Sequence, residues 1–351
     1  MLHLNTKKIK ITIFAIAMTV AFCQTNAQQQ LFATLNHNDT ITAYYVAVDL
    51  QQAHDAAVKG DVITLSSGTF NNVVITKAIT IRGAGMFTNT ETGTLPTIIN
   101  GASINNPAIG GSTSRDSVHH LSIEGVHFKT TNSVAVVIGN ISSGAIKLYD
   151  AHFLKCRFSH FSAPYDKFSD GVFVNCIFDF IHSIPSSRFT NCIILSENTG
   201  QNCINNSTLL NCYVTTTTSC YSSNIYYNCI VYSNNSNATG NLSSIKSYNC
   251  IGIMSNGNSL FATPILNDCH NMNSLSSVFK TFNGTYNDGE TFELQDSIAN
   301  NYRSTDSTQI GIYGGIVPYD PKVGNPKIRR CNVGVRSTAD GKLNVDIEVV
   351  P

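Results

Sequence analysis

Five near-identical phrases follow one another through the middle of this chain, and they restrict its fold more than any other feature. They are Phe173-Val174-Asn175-Cys176-Ile177-Phe178, Phe189-Thr190-Asn191-Cys192-Ile193-Ile194, Leu209-Leu210-Asn211-Cys212-Tyr213-Val214, Tyr226-Tyr227-Asn228-Cys229-Ile230-Val231 and Ser247-Tyr248-Asn249-Cys250-Ile251-Gly252. Cys156 before them and Cys269 after them extend the same even spacing. A period near twenty with apolar pairs on either side of a polar corner is the mark of a solenoid, in which each coil places one residue type at one position. Asn tolerates the left-handed backbone of a sharp bend between two strands, and a column of Asn can hydrogen-bond along the axis. After the bend, alternation puts Cys inward, the next residue outward and the one after it inward. Successive coils lie about 4.8 Å apart, but their parallel Cβ vectors oppose the disulfide dihedral, so free buried thiols are expected. No Cys-x-x-Cys or His-x-x-x-His pair points to zinc.

Composition agrees with short strands and many turns. Charged residues are 13% of the chain, tryptophan is absent and the formal charge is zero. Without a basic cluster in the body of the chain there is no electrostatic footprint for nucleic acid. Lys7, Lys8 and Lys10, the apolar residues 11–22 and Thr25-Asn26-Ala27 read as a secretory signal peptide over residues 1–27, too short to span a bilayer. The expected location is therefore periplasmic, cell-surface or extracellular. Bulky Phe22 disfavours lipidation through Cys23.

Residues 28–45 form a lead-in, and residues 46–315 the solenoid. It opens with an amphipathic helix over 48–58, a strand over 60–65, a Gly68 turn, strands over 73–75 and 79–81, and Gly83-Ala84-Gly85. Residues 316–351 read as a linker and a hairpin with a turn at Asp340-Gly341, after a closing strand over 310–315. Leu121-Ser122-Ile123-Glu124-Gly125-Val126-His127-Phe128 and Ile146-Lys147-Leu148-Tyr149-Asp150-Ala151-His152-Phe153 match position by position, which stacks His127 and His152 on the outer wall. The outward residues after each Cys, namely Arg157, Ile177, Ile193, Tyr213, Ile230 and Ile251, form an apolar stripe that needs a cover. Leu343, Val345, Ile347 and Val349 of the hairpin offer one.

The run Ala56-Ala57-Val58-Lys59-Gly60-Asp61-Val62-Ile63-Thr64-Leu65-Ser66-Ser67-Gly68-Thr69-Phe70, with Ile79-Thr80-Ile81-Arg82-Gly83-Ala84-Gly85, resembles the pectin-lyase-like superfamily. The resemblance implies an all-β, right-handed parallel β-helix with a short N-terminal helix plugging the core, here followed by a C-terminal β-hairpin. It also implies polysaccharide as the partner. Charge concentrates in residues 147–170, so any chemistry belongs near there. The Asp-Asp and His-Gly dipeptides of the polygalacturonase-like members are absent. Phe153-Leu154-Lys155-Cys156-Arg157-Phe158 and Ile177-Phe178-Asp179-Phe180-Ile181 resemble pectin methylesterases, which implies Asp179 as nucleophile and Asp166 as acid/base. The family's oxyanion Gln falls near Ser133, however, and its Arg-Pro-Trp has no counterpart. A lyase would use Lys155 or Arg157 as base, with Ca²⁺ on Asp150, Asp166 and Asp170. The expectation is an exported or surface protein that binds glycan without catalysis, with a carbohydrate-active enzyme as the alternative. Asp39-Thr40-Ile41, Asp116-Ser117-Val118, Asp296-Ser297-Ile298 and Asp306-Ser307-Thr308 resemble acceptor triplets of bacterial O-glycosylation, although a Ser/Thr-rich chain also produces such triplets by chance.

Overall fold

The computed structural model describes residues 31–45, 49–104, 120–130, 134–138, 148–163, 167–196, 204–216, 223–233, 246–255, 259–261 and 267–323, and the backbone of 327–337 and 343–350. The signal-peptide segment, Asp166, Ser117 and the Asp340-Gly341 turn lie outside these residues.

The protein is a parallel β-helix. Among the described residues its coils stack into three main sheets, of eleven strands including two from the lead-in, ten and six. In the first sheet His152, Val172, Arg188, Thr208, Ile225 and Lys246 occupy one rung position, and in the second Arg157, Ile177, Ile193, Tyr213, Ile230, Ile251 and His270 do. The bend between these sheets is the Asn corner. Asn175, Asn191, Asn211, Asn228 and Asn249 all have φ between 51° and 55°. Where Asn is lacking, Gly125, Lys155 and Asp268 hold the same corner at φ 67°, 51° and 54°. Axial Asn-to-Asn bonding is seen at Asn249 Nδ2 to Asn228 Oδ1, 2.9 Å. Most of the remaining Asn contacts run to another part of the chain, described below.

The cysteines of the column, Cys156, Cys176, Cys192, Cys212, Cys229, Cys250 and Cys269, are free and buried, as the parallel geometry requires. Each thiol points to the carbonyl two residues before it, for instance Cys176 to Val174 and Cys192 to Thr190, both at 3.4 Å. Cys therefore serves as a small corner filler whose weak donor is satisfied locally. Burial pushes the Cys176, Cys192 and Cys229 thiols up, so they stay protonated. Inside the corner, Phe128, Phe158 and Phe178 stack at 5.4 and 4.9 Å, and Phe153, Phe173 and Phe189 at 5.1 and 4.9 Å. Repetition at one position thus builds continuous aromatic rows through the core.

At the N-terminal end, helix α1 (Asp49–Ala56) closes the core with Leu50, Ala53 and Ala57. Lys77 Nζ donates to the carbonyls of His54, Asp55 and Ala57 at 2.7 to 2.8 Å, satisfying the helix C-terminus. The lead-in is itself a hairpin, β1 (Phe32–His37) and β2 (Thr40–Tyr45), and β1 pairs antiparallel with Val62–Leu65.

Two expectations need correction. Ser122 pairs with His152, and His127 pairs with Arg157, so one coil runs from Ser122 to His152 and not from His127 to His152. His127 lies in the second sheet and His152 in the first. The recurrence of His-Phe misled the alignment, whereas the alternation of buried Ile123 and Phe153 sets the true register. Residues 310–315 are not a strand and do not close the solenoid. The last coil strand is His270–Met272, after which α2 (Leu275–Val278) and α3 (Asp296–Asn301) lead into a segment lying on the outer face of the second sheet. Leu275, Val278, Phe279, Phe282, Phe292, Leu294, Ile298, Ile310 and Ile312 pack there on Ile177, Ile193, Tyr213, Ile230 and Ile251. The apolar stripe is covered, by this segment. The C-terminal hairpin is Lys327–Ser337 paired antiparallel with Leu343–Val350.

Candidate functional site

The cover leaves a seam where its last residues meet the early coils. From residue 303 onward the chain runs back along the Asn corner. Asn249 Nδ2 donates to Arg303 O, Asn228 Oδ1 accepts from Thr305 N, and Asn191 Nδ2 donates to the carbonyls of Ile312 and Gly314. Asn175 Nδ2 reaches Pro318 O at 3.4 Å, and Lys155 Nζ reaches Asp320 at 3.5 Å and the Lys322 carbonyl.

Arg157 stands on the second sheet beside this seam, 14% exposed in its side chain. Its Nε donates to both oxygens of Asp179, at 3.2 and 3.1 Å, and its terminal nitrogen to Asp288 Oδ1 at 2.6 Å. The guanidinium lies 5.7 Å from the ring centre of Phe87 and 5.4 Å from that of Tyr286. Burial works against the Arg157 charge, but Asp179 and Asp288 outweigh it and hold its proton above the ordinary arginine range. Burial raises Asp179 above the usual carboxylate range, partly offset by Arg157. His127, on the neighbouring rung, is pushed down to about 4 by burial and then by Arg157 and Lys129. It is neutral at physiological pH.

Beside this cluster opens a groove of about 470 Å³. Phe87, Tyr286 and Tyr319 supply aromatic walls, and Asn89, Asp288, Glu290 and Lys322 supply polar groups. Gly284 and Gly289, at φ 103° and 92°, turn the loop that presents Tyr286 and Asp288. Burial raises the Tyr286 and Tyr319 phenols, so both remain neutral hydrogen-bonding groups.

Of the candidate site residues, Lys155, Arg157 and Asp179 therefore gather at one seam. Asp150 and Asp170 sit at another corner, before the first-sheet strands His152–Leu154 and Val172–Val174. A three-residue strand places that corner roughly 10 Å from Lys155. Sequence reasoning did not find Phe87, Tyr286, Asp288 or Tyr319, because they come from outside the repeat. The available signal was the turn-rich Asn283-Gly284-Thr285-Tyr286-Asn287-Asp288-Gly289, which sets an aromatic and a carboxylate between two glycines. No helix among the described residues is long and apolar enough to cross a membrane.

Comparison with protein-family models, with curated proteins and with solved structures found no match.

Proposed function

We propose that this is an exported β-helix that binds glycan in the seam groove and does not turn it over. The observation that carries the reading is the groove itself, in which three aromatic rings stand beside amide, carboxylate and ammonium groups. Aromatic faces stack on the C–H faces of sugar rings while the polar rim takes their hydroxyls, and the volume falls within the ordinary range of small-ligand sites. The likeness of the runs 56–70 and 79–85 to the pectin-lyase-like superfamily, and the leader-like segment ending at Ala27, are in keeping with polysaccharide outside the cytoplasm.

The neighbouring charges argue against turnover. A base must be able to give up its proton, yet Arg157 is locked between two carboxylates. Lys155 is engaged by Asp320 and the Lys322 carbonyl. The Ca²⁺ that a lyase would use has its described candidate ligands, Asp150 and Asp170, at the other corner.

Titration of mature protein with neutral and uronate-containing oligosaccharides tests the reading. The expected result is retention without shortening or de-esterification, with affinity reduced at least tenfold by Tyr286→Ala. Release of unsaturated products, or of alcohol or acid, abolished by Arg157→Ala or Asp179→Ala, would establish a carbohydrate-active enzyme instead.

A further inference from the structure

The corner between the first sheet and the short two-stranded sheet of Leu148–Tyr149 and Phe168–Ser169 carries a different chemistry. His120 and Asp150 occupy the same position in successive coils, because His152, two residues after Asp150, pairs with Ser122, two residues after His120. His152 enters the strand directly beyond that corner. Its backbone N–H is fixed to Leu121 O at 2.8 Å, and that of Asp150 to Ser169 O at 3.2 Å. Asp150 is left-handed, at φ 55°. This backbone brings two imidazoles and one carboxylate together without any dedicated loop.

The distances are those of a metal's ligand shell. His152 Nε2 lies 3.0 Å from Asp150 Oδ1, and His120 Nδ1 lies 3.9 Å from Asp150 Oδ2. One ligand atom from each of the three residues can be chosen so that all lie within 4.8 Å of one another. Ligands bound at about 2.0 to 2.1 Å in a tetrahedron stand roughly 3.3 Å apart, so side-chain rotations of an ångström or so complete the set. The imidazole rings face each other at 3.8 Å with a 33° tilt. All three side chains are partly buried, at 24%, 27% and 36% exposure for His120, Asp150 and His152. Such a site is desolvated enough to bind and open enough to admit an ion and keep a further position for water.

We infer that His120 Nδ1, Asp150 and His152 Nε2 form a binding site for a borderline divalent metal of the Zn²⁺ class. The donor set decides the class. Two nitrogens and one carboxylate suit Zn²⁺, Ni²⁺ or Cu²⁺, whereas Ca²⁺ takes six to eight oxygens. Asp170, one coil further at the same corner, is held by Ser169 Oγ at 2.8 Å and stands behind Asp150 rather than beside the imidazoles. The ion takes the place of the hydrogen bond between His152 Nε2 and Asp150, the imidazole binding as its neutral Nδ1–H tautomer. The site is independent of the seam groove.

Tag-free, chelator-treated mature protein titrated with Zn²⁺ tests this by calorimetry, alongside Co²⁺ titration read in the visible d–d bands. One equivalent per chain is expected, with a Zn²⁺-dependent rise in thermal midpoint. Affinity should fall at least tenfold in His120→Gln and in His152→Gln, and stay unchanged in His160→Gln. No binding and no thermal shift in the wild type would overturn the inference without recourse to any variant. So would cobalt–thiolate charge-transfer bands, which would move the metal to the cysteine column, or full affinity retained in the His120→Gln/His152→Gln double variant.

Discussion

Asn191 donates from its single amide nitrogen to the carbonyls of both Ile312 and Gly314, each at 2.7 Å and fully buried. One side chain thus turns a corner of the solenoid and holds the cover. The two roles separate by substitution. Asn191→Gly keeps the left-handed backbone but leaves two buried carbonyls unpaired, and should cost about 2 to 4 kcal/mol in urea denaturation. Asn191→Asp places an acceptor against two acceptors and should cost more at neutral pH than at acid pH.

The stripe from Ile177 to Ile251 is covered by residues 275–312. Burying its four isoleucines and Tyr213 stabilises by on the order of 10 kcal/mol in transfer terms. A chain ending after residue 323 should keep its thermal transition, while one ending after residue 272 should aggregate or bind a hydrophobic dye. Phe282 lies 5.2 Å from the ring of Tyr213 and 4.3 Å from that of Phe292, so Phe282→Ala should cost roughly 3 to 5 kcal/mol.

His127 gives the fold a pH dependence. Its folded pKa is about 4 against an ordinary 6.5, because it is buried and faces Arg157 and Lys129, with Asp288 opposing and Ser159 near Nε2. The unfolded chain takes up the proton first as pH falls. Stability is therefore full above pH 6.5 and is lost progressively between 6.5 and 4, by up to about 3 kcal/mol. In His127→Gln the slope of unfolding free energy against pH in this window should flatten; an unchanged slope would assign it to other groups.

Arg157 and Asp179 form a partly buried pair, so removing one partner costs more than removing both. Asp179→Ala should destabilise by roughly 3 kcal/mol, and Arg157→Met combined with Asp179→Leu by much less. Arg157→Lys should not rescue, since lysine loses the double contact with Asp179 and the flat packing between Phe87 and Tyr286. Thermal denaturation of these variants measures the cycle.

Much of the fold was legible because a repeat states the same physics several times. The Asn bend, the inward thiol, the outward isoleucine and the capping helix each follow from alternation and backbone preference at known positions. The lead-in hairpin was legible too, although it went unread: Asn38 and Asp39 carry φ of 48° and 61°, the kind of two-residue turn that these residue types favour. Setting His127 over His152 failed because His-Phe recurs by composition, while the true coil, from Ser122 to His152, is set by inward Ile123 over Phe153. The candidate site was only half visible. Arg157 and Asp179 stand in the repeat, but Phe87, Asp288 and Tyr319 arrive from three segments whose meeting depends on the path of the cover. His120 and Asp150 came together through the same coil register that the His-Phe alignment missed.

The return of residues 303–323 along the corner column has a consequence for how this chain could have grown. Solenoids commonly lengthen by duplicating a coil, since each coil touches only its neighbours. Here the tail retraces the column in reverse, meeting Asn249 near Arg303, Asn228 near Thr305, Asn191 near Ile312, Asn175 near Pro318 and Lys155 near Asp320. An extra coil inserted among these would slide every pairing beyond it by about 4.8 Å. The tail acts as a ruler. It fixes the number of turns between Cys156 and Cys250, and its end reaches further, since Lys322 Nζ donates to Glu91 Oε1 and Val323 lies against Gly85 and Gly125.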